Sequence, residues 1–428
     1  MLAIVILVGG CGTRVSSISK GKSKQEIEIL PNKRIIDYQI EQIKKLKKKI
    51  FFVSNNKNVS LKNYLNTKYT KKINFEIIEE KIPLGTAGAL KFLEKLPHKL
   101  YLLIDGDLIF NLNLNKLINF HKKNNSQCTL VVHPNNHPYD SDCVDIDYKS
   151  RIKKIFLKPH NKNVITKNLC MSGIRLINKN KLRLIKHNKF QDFSKDFLPK
   201  IISNKSRIFA YNTREYIKDA GTVDRIQQVQ KDINSIKYKL GNIDKKIPAV
   251  FLDRDGVLNE QVDEEPYQNP KKIFKNVEKA IKKINHSGYL AILITNQPAV
   301  AKGLITIKKL EEDLDYLNYY LGLKGGYLDR IYYCPHHPVK GFRNENIEFK
   351  KKCKCRKPDN GMFRKAIREL NIDYKKSFMI GDNYTDYLAS KKTKIKFILV
   401  NQKDNRLKLF KKKNIVEAVN HIFKKTSF

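Results

Sequence analysis

The chain twice alternates strand-length apolar runs with helical patterns, and that alternation restricts it to layered α/β folds. In the first half the runs are "AIVILV" (3–8), "KIFFVS" (49–54), "INFEII" (73–78) and "LYLLID" (100–105). Between them lie stretches such as Ile35 to Lys47 and Ala87 to Leu96, where apolar residues recur at helical spacing. A polar helical stretch, "IQQVQKDINSIKYKLGNIDKK", then interrupts the series. A second series follows: "PAVFLD" (248–253), "YLAILIT" (289–295), "RIYYC" (330–334), "SFMIGD" (377–382) and "KFILV" (396–400). The expected fold class is therefore α/β, with two Rossmann-like domains at 1–230 and 248–428 and a linker at 231–247.

Composition narrows the class of function. The 428 residues are 41% hydrophobic, enough for two real cores. No apolar run approaches the roughly eighteen residues a membrane span requires. The opening "MLAIVILVGG" has no basic leading region and no small-residue cleavage site, so it reads as a buried first strand. Seven cysteines at irregular spacing in so long a chain do not suggest a disulfide scaffold, and a reducing cytoplasm is the expected location. The formal charge of +43 raises nucleic-acid binding as an alternative of another class. Lysine is spread through every segment, however, and only 15 of the 85 basic residues are arginine. A nucleic-acid binder should concentrate its charge on one face. The charge reads instead as a compositional bias that draws small anions, with neither nucleic acid nor membrane as partner.

In the first domain, "LVGGCGTR" (7–14) follows the first strand, where glycines let backbone N–H groups approach an anion. A tight turn needs glycine too, and the stretch is neither the dinucleotide fingerprint nor a Walker loop. Three further signals accompany it. "EEKIPLGTAGAL" (79–90) is a second glycine-rich loop entering a helix, "DGD" (105–107) closes a strand, and "YIKDAGT" (216–222) sets another carboxylate beside a glycine. Open α/β sheets bind ligands at such strand ends. Two separated aspartates can hold Mg²⁺ against a triphosphate.

In combination these motifs, over about residues 2–225, resemble the sugar-nucleotidyltransferase family, which has a glycosyltransferase-A-like fold. The resemblance implies transfer of a nucleotidyl group to a sugar 1-phosphate with release of pyrophosphate. It implies that Gly9, Gly10, Gly12, Thr13 and Arg14 cradle the triphosphate, with Lys24 as a phosphate-binding lysine. Gly85 would lie beside the nucleobase, Asp107 and Asp219 would hold Mg²⁺, and Lys158 would stand near the sugar phosphate. "HPYDSD" (137–142) and "EYIKDAGTVDR" (215–225) look most like the branch that activates heptose or mannose, for which GTP is the expected donor.

In the second domain, "FLDRDGVLN" (251–259) sets two aspartates two residues apart at a strand end. Asp253 can attack a phosphoryl group as a carboxylate nucleophile, and Asp255 can protonate the leaving oxygen and later activate water. "TNQ" (295–297) offers Thr295 and Asn296 to phosphate oxygens, Lys357 supplies a cation, and "GDNYTD" (381–386) returns Asp382 for a metal. This ordered set, over about residues 248–400, resembles the haloacid dehalogenase superfamily. The resemblance implies Mg²⁺ held by Asp253, Asp255 and Asp382.

"YYCPHHP" (332–338) and "CKCRKP" (353–358) resemble the zinc-containing histidinol-phosphate and heptose-bisphosphate phosphatases. Cys334, His336, Cys353 and Cys355 would form a closed structural zinc site, with His337 the second candidate histidine. Cys128, Cys143 and Cys170 read as small buried apolar groups. Arg356 would contact a second substrate phosphate, and Lys302 carries a charge where the family has arginine. "LDRDGVLN", "CPHHP" and "CRKPDNGM" lean towards the heptose branch.

The two halves together imply a bifunctional enzyme of activated-heptose synthesis for surface glycans. The phosphatase would remove the 7-phosphate of D-glycero-D-manno-heptose 1,7-bisphosphate, and the transferase would join heptose 1-phosphate to a nucleoside triphosphate. The competing enzyme reading is a histidinol-phosphate or other sugar-phosphate phosphatase whose first domain is inactive or specific for mannose 1-phosphate.

Overall fold

The computed structural model describes residues 1–10, 15, 22–55, 58–160, 164–260, 272–401, 409 and 411–424. They form two compact units. One comprises Met1–His133, Asp140–His160 and Leu169–Asn242; the other comprises Ile243–Phe428 with Pro134–Tyr139 and Asn161–Asn168.

The first unit is built on a nine-stranded mixed sheet. Its parallel part places β1 (Leu2–Leu7) between β2 (Ile50–Asn55) and β4 (Leu100–Asp105), with β3 (Phe75–Glu80) outside β2. Side chains alternate across these strands, as a pleated strand requires. Val5, Phe51 and Leu103 enter one core, while Ile4, Ile6, Phe52, Leu102 and Ile104 enter the core on the opposite face. Both faces are thus covered, which explains why these strands read as continuous apolar runs.

The expected Rossmann-like sheet is extended by an antiparallel part. Strand β6 (Cys170–Asn178) pairs antiparallel with β4 and with Cys128–His133. The small antiparallel ribbon of β5 (Leu108–Asn111) and β7 (Tyr216–Asp219) stands apart from the main sheet. The residues read as a linker are largely ordered. The helix Val223–Asn234 is followed by Ile236–Lys239, and Tyr238 meets the rings of Tyr38 and Tyr216 edge-on at 6.3 and 5.2 Å. Those aromatic contacts hold the segment to the first unit as far as Asn242.

The second unit has an all-parallel six-stranded sheet. Its order is β10 (Arg330–Cys334), β9 (Leu290–Asn296), β8 (Ala249–Leu252), β11 (Phe378–Gly381), β12 (Lys396–Val400) and Lys411–Lys412. Val250, Leu252, Ala291, Leu293 and Ile380 share one buried core, and Phe251 packs against Phe363 on the other face. β8 lies at the centre, so the residues just beyond its end are flanked by the ends of β9 and β11. Among the described residues, no helix is long and apolar enough to cross a membrane.

Candidate functional sites

In the first unit the strand ends bring the expected motifs to one edge. Gly9 and Gly10 lie just beyond β1. A Cβ on Gly9 would come within 2.7 Å of Glu80 Oε2, whereas Gly10 has nothing within 4 Å of that position. Asn55, the last residue of β2, donates from Nδ2 to the Gly9 carbonyl at 2.7 Å. Gly12, Thr13 and Arg14 lie outside the described residues.

"DGD" turns sharply because Gly106 donates its N–H to the Leu7 carbonyl at 3.0 Å, and a Cβ there would strike that oxygen and Gln25. The turn leaves Asp105 and Asp107 on separate tasks. Asp105 pairs with Arg175 of β6, and Gly173, at φ +81°, makes room for its carboxylate. Burial raises the Asp105 carboxyl to about 6 against the pull of Arg175. Asp107 is 3.5 Å from Lys24 Nζ.

The β5–β7 ribbon carries Asp219 to the same end. Asp219 stands opposite Leu108, and the Ala220 N–H donates to the Asp107 carbonyl at 2.8 Å. Asp219 Oδ1 is 2.6 Å from Arg225 Nη1. Each carboxylate expected to bind Mg²⁺ therefore has a cation beside it, and the pair sits on adjacent backbone segments. That donor set fits one divalent ion shared with phosphate oxygens.

Two other expected residues are held differently. Gly85, at φ +74°, packs under the Gln191 carbonyl, which a Cβ would approach to 2.6 Å, so its glycine answers a backbone need. Lys158 is held through its backbone N–H by Asp142 at 3.1 Å, and its ammonium forms no ion pair among the described residues.

In the second unit, Asp253 follows β8 directly, with its N–H bonded to the Ile380 carbonyl at 3.1 Å. Asp253, Asp382 and Asp386 place carboxylate oxygens within 4.8 Å of one another. Lys357 Nζ reaches Asp253 at 2.8 Å and Asp386 at 2.6 Å and donates to the Ile294 carbonyl at 3.0 Å. Burial opposes the lysine's charge, yet the two aspartates hold its pKa above the ordinary lysine value. Burial and then Asp386 raise Asp382 to about 7, against Lys357. Three converging carboxylates with one ammonium leave an excess of negative charge that suits a divalent cation.

Two glycines are dictated by this cluster. A Cβ on Gly256, at φ +78°, would strike the Asp382 carboxylate, and one on Gly381 would sit 2.5 Å from an Asp386 oxygen.

The structure departs from the expected Mg²⁺ set at Asp255. Its carboxylate accepts from Arg254 Nε at 3.0 Å, Gln297 Nε2 at 2.9 Å and Asn259 Nδ2 at 3.0 Å, and so lies outside the cluster. Asp386 takes that place. Sequence reasoning missed it, although it is the second aspartate of "GDNYTD", four residues beyond Asp382.

Asn296 also departs from its expected use. Its Nδ2 donates to the Lys357 carbonyl and its Oδ1 accepts from the Lys357 N–H, both at 3.0 Å. This reciprocal pair clamps the backbone that carries the lysine. Thr295 is fully buried, and its hydroxyl accepts from Gln297 at 2.8 Å.

Cys334, His336, Cys353 and Cys355 converge as expected, their ligand atoms within 4.8 Å of one another. Three thiols and one imidazole with all four positions supplied by protein fit a structural zinc. Cys355 Sγ is 3.2 Å from Cys334 Sγ and 3.3 Å from His336 Nδ1. His337 turns away, its Nδ1 3.3 Å from the Val339 carbonyl. Cys128, Cys143 and Cys170 are buried, and the last two place their sulfurs 3.3 Å apart.

Arg356 donates from Nη1 to the His336 carbonyl at 3.1 Å, which ties it to the zinc loop. Lys302 and Lys350 both lie against the Phe342 ring, at 4.7 and 4.5 Å. Burial, then Arg356 and Lys350, lower the Lys302 pKa. Lys350 and Phe342 are neighbours of Lys302 that no motif marked.

Comparison with known proteins follows the same division. Residues 3–236 match the nucleotidyl transferase family, and residues 354–422 match a family described as HAD-hydrolase-like. Over 155 residues the chain is 39% identical to the D-glycero-beta-D-manno-heptose-1,7-bisphosphate 7-phosphatase of Haemophilus ducreyi, covering 35% of this chain and 79% of that protein. The protein of the same name from Pasteurella multocida is 40% identical over 155 residues, covering 35% of this chain and 78% of that one. Among solved structures, HddC from Yersinia pseudotuberculosis is similar at 24% identity and a TM-score of 0.47, covering 55% of this chain and 100% of that one.

Proposed function

Because the chain belongs to the nucleotidyl transferase family and also to the heptose-bisphosphate 7-phosphatase family, we propose that it catalyses two consecutive steps. The second domain removes the 7-phosphate of D-glycero-D-manno-heptose 1,7-bisphosphate. The first joins the resulting heptose 1-phosphate to GTP and releases pyrophosphate. The product of one step is the substrate of the other, which gives a physical reason for carrying both on one chain.

The observation that carries the phosphatase reading is the division of labour among the aspartates. Asp253 lies in the cluster with Asp382, Asp386 and Lys357, while Asp255 is held off it by Arg254, Gln297 and Asn259. A group that must gain and lose a proton works best away from the cation. An Asp253 oxygen attacks the 7-phosphorus, the bond from phosphorus to the sugar oxygen breaks, and Asp255 gives that oxygen its proton. Asp255 then takes a proton from water as the water attacks the aspartyl-phosphate, freeing phosphate and restoring Asp253. Burial and then Asp386 raise the Asp253 carboxyl, Lys357 opposes that rise, and the same ammonium offsets charge on the transferring group. Asp253, Asp382 and Asp386 would hold Mg²⁺, which supplies further charge neutralisation when bound.

In the first domain the sugar 1-phosphate oxygen attacks the α-phosphorus and pyrophosphate leaves. Positioning and charge neutralisation are most of what this chemistry asks. Lys24 lies where it can meet phosphate oxygens, and Asp107 with Asp219 would hold Mg²⁺. The likeness of "HPYDSD" and "EYIKDAGTVDR" to guanylyltransferases supports GTP as donor.

The test is direct. The protein incubated with heptose 1,7-bisphosphate, GTP and Mg²⁺ should release both phosphate and pyrophosphate and form a nucleotide-linked heptose. Phosphate release without any nucleotide-sugar, across all four nucleotides, would sink the bifunctional reading.

A further inference from the structure

Two asparagines, at the end of β2 and just beyond it, commit their side-chain amides to the backbone of the first glycine loop. Asn55 donates from Nδ2 to the Gly9 carbonyl at 2.7 Å, and Asn58 donates from Nδ2 to the Val8 carbonyl at 2.8 Å. Asn58 stands at the N-cap of the helix Val59–Tyr69, where asparagine ordinarily accepts from the helix's own first N–H groups. Its side chain makes no such bond. A cap of that kind contributes about 1 kcal/mol, so the helix forgoes that stabilisation while the loop gains an anchor.

The two anchors act on consecutive peptide groups. A trans peptide is planar, so its N–H points opposite to its C=O. Holding the Val8 and Gly9 carbonyls towards Asn58 and Asn55 therefore turns the Gly9 and Gly10 N–H groups away from them. Among the described residues neither of these N–H groups has a hydrogen-bond partner. β1 lies between β2 and β4, and β4 leads into Asp107, with Lys24 Nζ 3.5 Å from its carboxylate. Gly10 has nothing within 4 Å of a would-be Cβ, which leaves room beside the loop. Successive N–H groups that face one way form an anion-binding concavity.

We propose that Asn55 and Asn58 are positioning residues for the polyphosphate chain of the nucleotide. They act through the loop backbone and not by touching phosphate. By claiming two carbonyl oxygens they keep those partial negative charges off the anion and aim two N–H donors at it. Glycine permits the required conformation but cannot enforce it, because it loses more conformational freedom than any other residue when fixed. Without the amides the Val8 and Gly9 peptide planes can rotate, and a carbonyl turned towards a phosphate oxygen repels it. This assignment rests on the nucleotidyltransferase reading and adds what holds the glycine loop in its binding conformation.

The experiment is equilibrium titration of the full chain with GTP and with inorganic pyrophosphate, in Mg²⁺, for the wild type, Asn55→Ala and Asn58→Ser. Serine caps a helix as well as asparagine does but is too short to reach the Val8 carbonyl, so the melting temperature of Asn58→Ser should not fall. Each variant should bind GTP and pyrophosphate about tenfold more weakly than the wild type. In nucleotide-sugar formation the KM for GTP should rise by a similar factor, while the KM for the sugar 1-phosphate stays within about twofold. A merely structural role would lower the amount of active enzyme and leave both KM values unchanged. Wild-type affinity for GTP in Asn58→Ser, or a fall in kcat alone in Asn55→Ala, would overturn the assignment and leave the nucleotidyltransferase reading standing. A wild type that binds no nucleoside triphosphate would overturn that reading itself.

Discussion

Lys357 Nζ lies 2.6 Å from Asp386 Oδ1, and the Asp386 side chain is fully buried. The pair makes Asp386 a structural counter-charge as well as a member of the carboxylate cluster. Replacing it by asparagine keeps its shape and removes its charge. Asp386→Asn leaves Lys357 paired with Asp253 and should destabilise the second domain by about 1–3 kcal/mol, the usual cost of losing one hydrogen bond to a charged group. It should also cut phosphate release by about a hundredfold or more. Urea unfolding and a phosphate-release assay check both, and wild-type activity in the variant would contradict the arrangement.

Asn296 tests whether the lysine must be held as well as present. Asn296→Ala removes two hydrogen bonds to the Lys357 backbone. The loss should amount to about 1–3 kcal/mol. Because the amide is committed to that backbone, kcat should fall while KM changes little. A rise in KM alone would return Asn296 to direct phosphate binding.

The metal-ligand loop should control the phosphatase at a distance of two residues. Cys355 belongs to the Cys₃His set and Lys357 follows it closely in the chain. Metal analysis should find zinc in the purified protein. Cys355→Ser should lose that zinc and most phosphatase activity, while GTP titration of the first domain remains as in the wild type. Full phosphatase activity in a zinc-free protein would refute this coupling.

Asp107 and Asp219 should act on the transferase alone. Asp107→Asn and Asp219→Asn are each expected to reduce nucleotide-sugar formation by about a hundredfold or more. Phosphate release from heptose bisphosphate should stay at the wild-type rate in both. Measuring the two products in one reaction makes the comparison internal.

His98 predicts part of the acid limb of stability. Burial first, then the N-terminal ammonium, Lys179 and Lys49, lower its pKa, and its ring meets Phe51 and Tyr101 edge-on. The folded protein keeps it neutral, whereas the unfolded chain protonates it below about pH 6.5. Stability should therefore fall as pH drops through 6.5 towards the lower folded value. Burial lowers the His121 pKa against its hydrogen bond to Asn178, so His121 acts in the same sense. His98→Phe preserves the ring packing and should make the melting temperature less sensitive to pH between about 7 and 5.

Much of the fold was legible because the signals are local. Runs such as "LYLLID" and "PAVFLD" are apolar throughout since both faces of their strands are buried. The antiparallel part of the first sheet escaped because strands such as Cys170–Asn178 mix serine, glycine and arginine with apolar residues. Arg175 breaks the pattern there because it turns inward to pair with Asp105 on the neighbouring strand. No local rule reveals such a pairing between residues seventy apart.

The chain alone determined the chemical inventory: aspartates and a lysine at strand ends, cysteines and a histidine at metal-ligand spacing, glycines where anions or carboxylates come close. These depend on residue type and short spacing, which sequence records directly. Tertiary structure decided the roles within that inventory. It drew Asp386 onto Lys357 and held Asp255 away through Arg254, Gln297 and Asn259. It turned Asn296 back onto the lysine's own backbone. The physical reason is that a polar group's role depends on which partner compensates it once buried, and those partners meet only when distant strand ends are brought together.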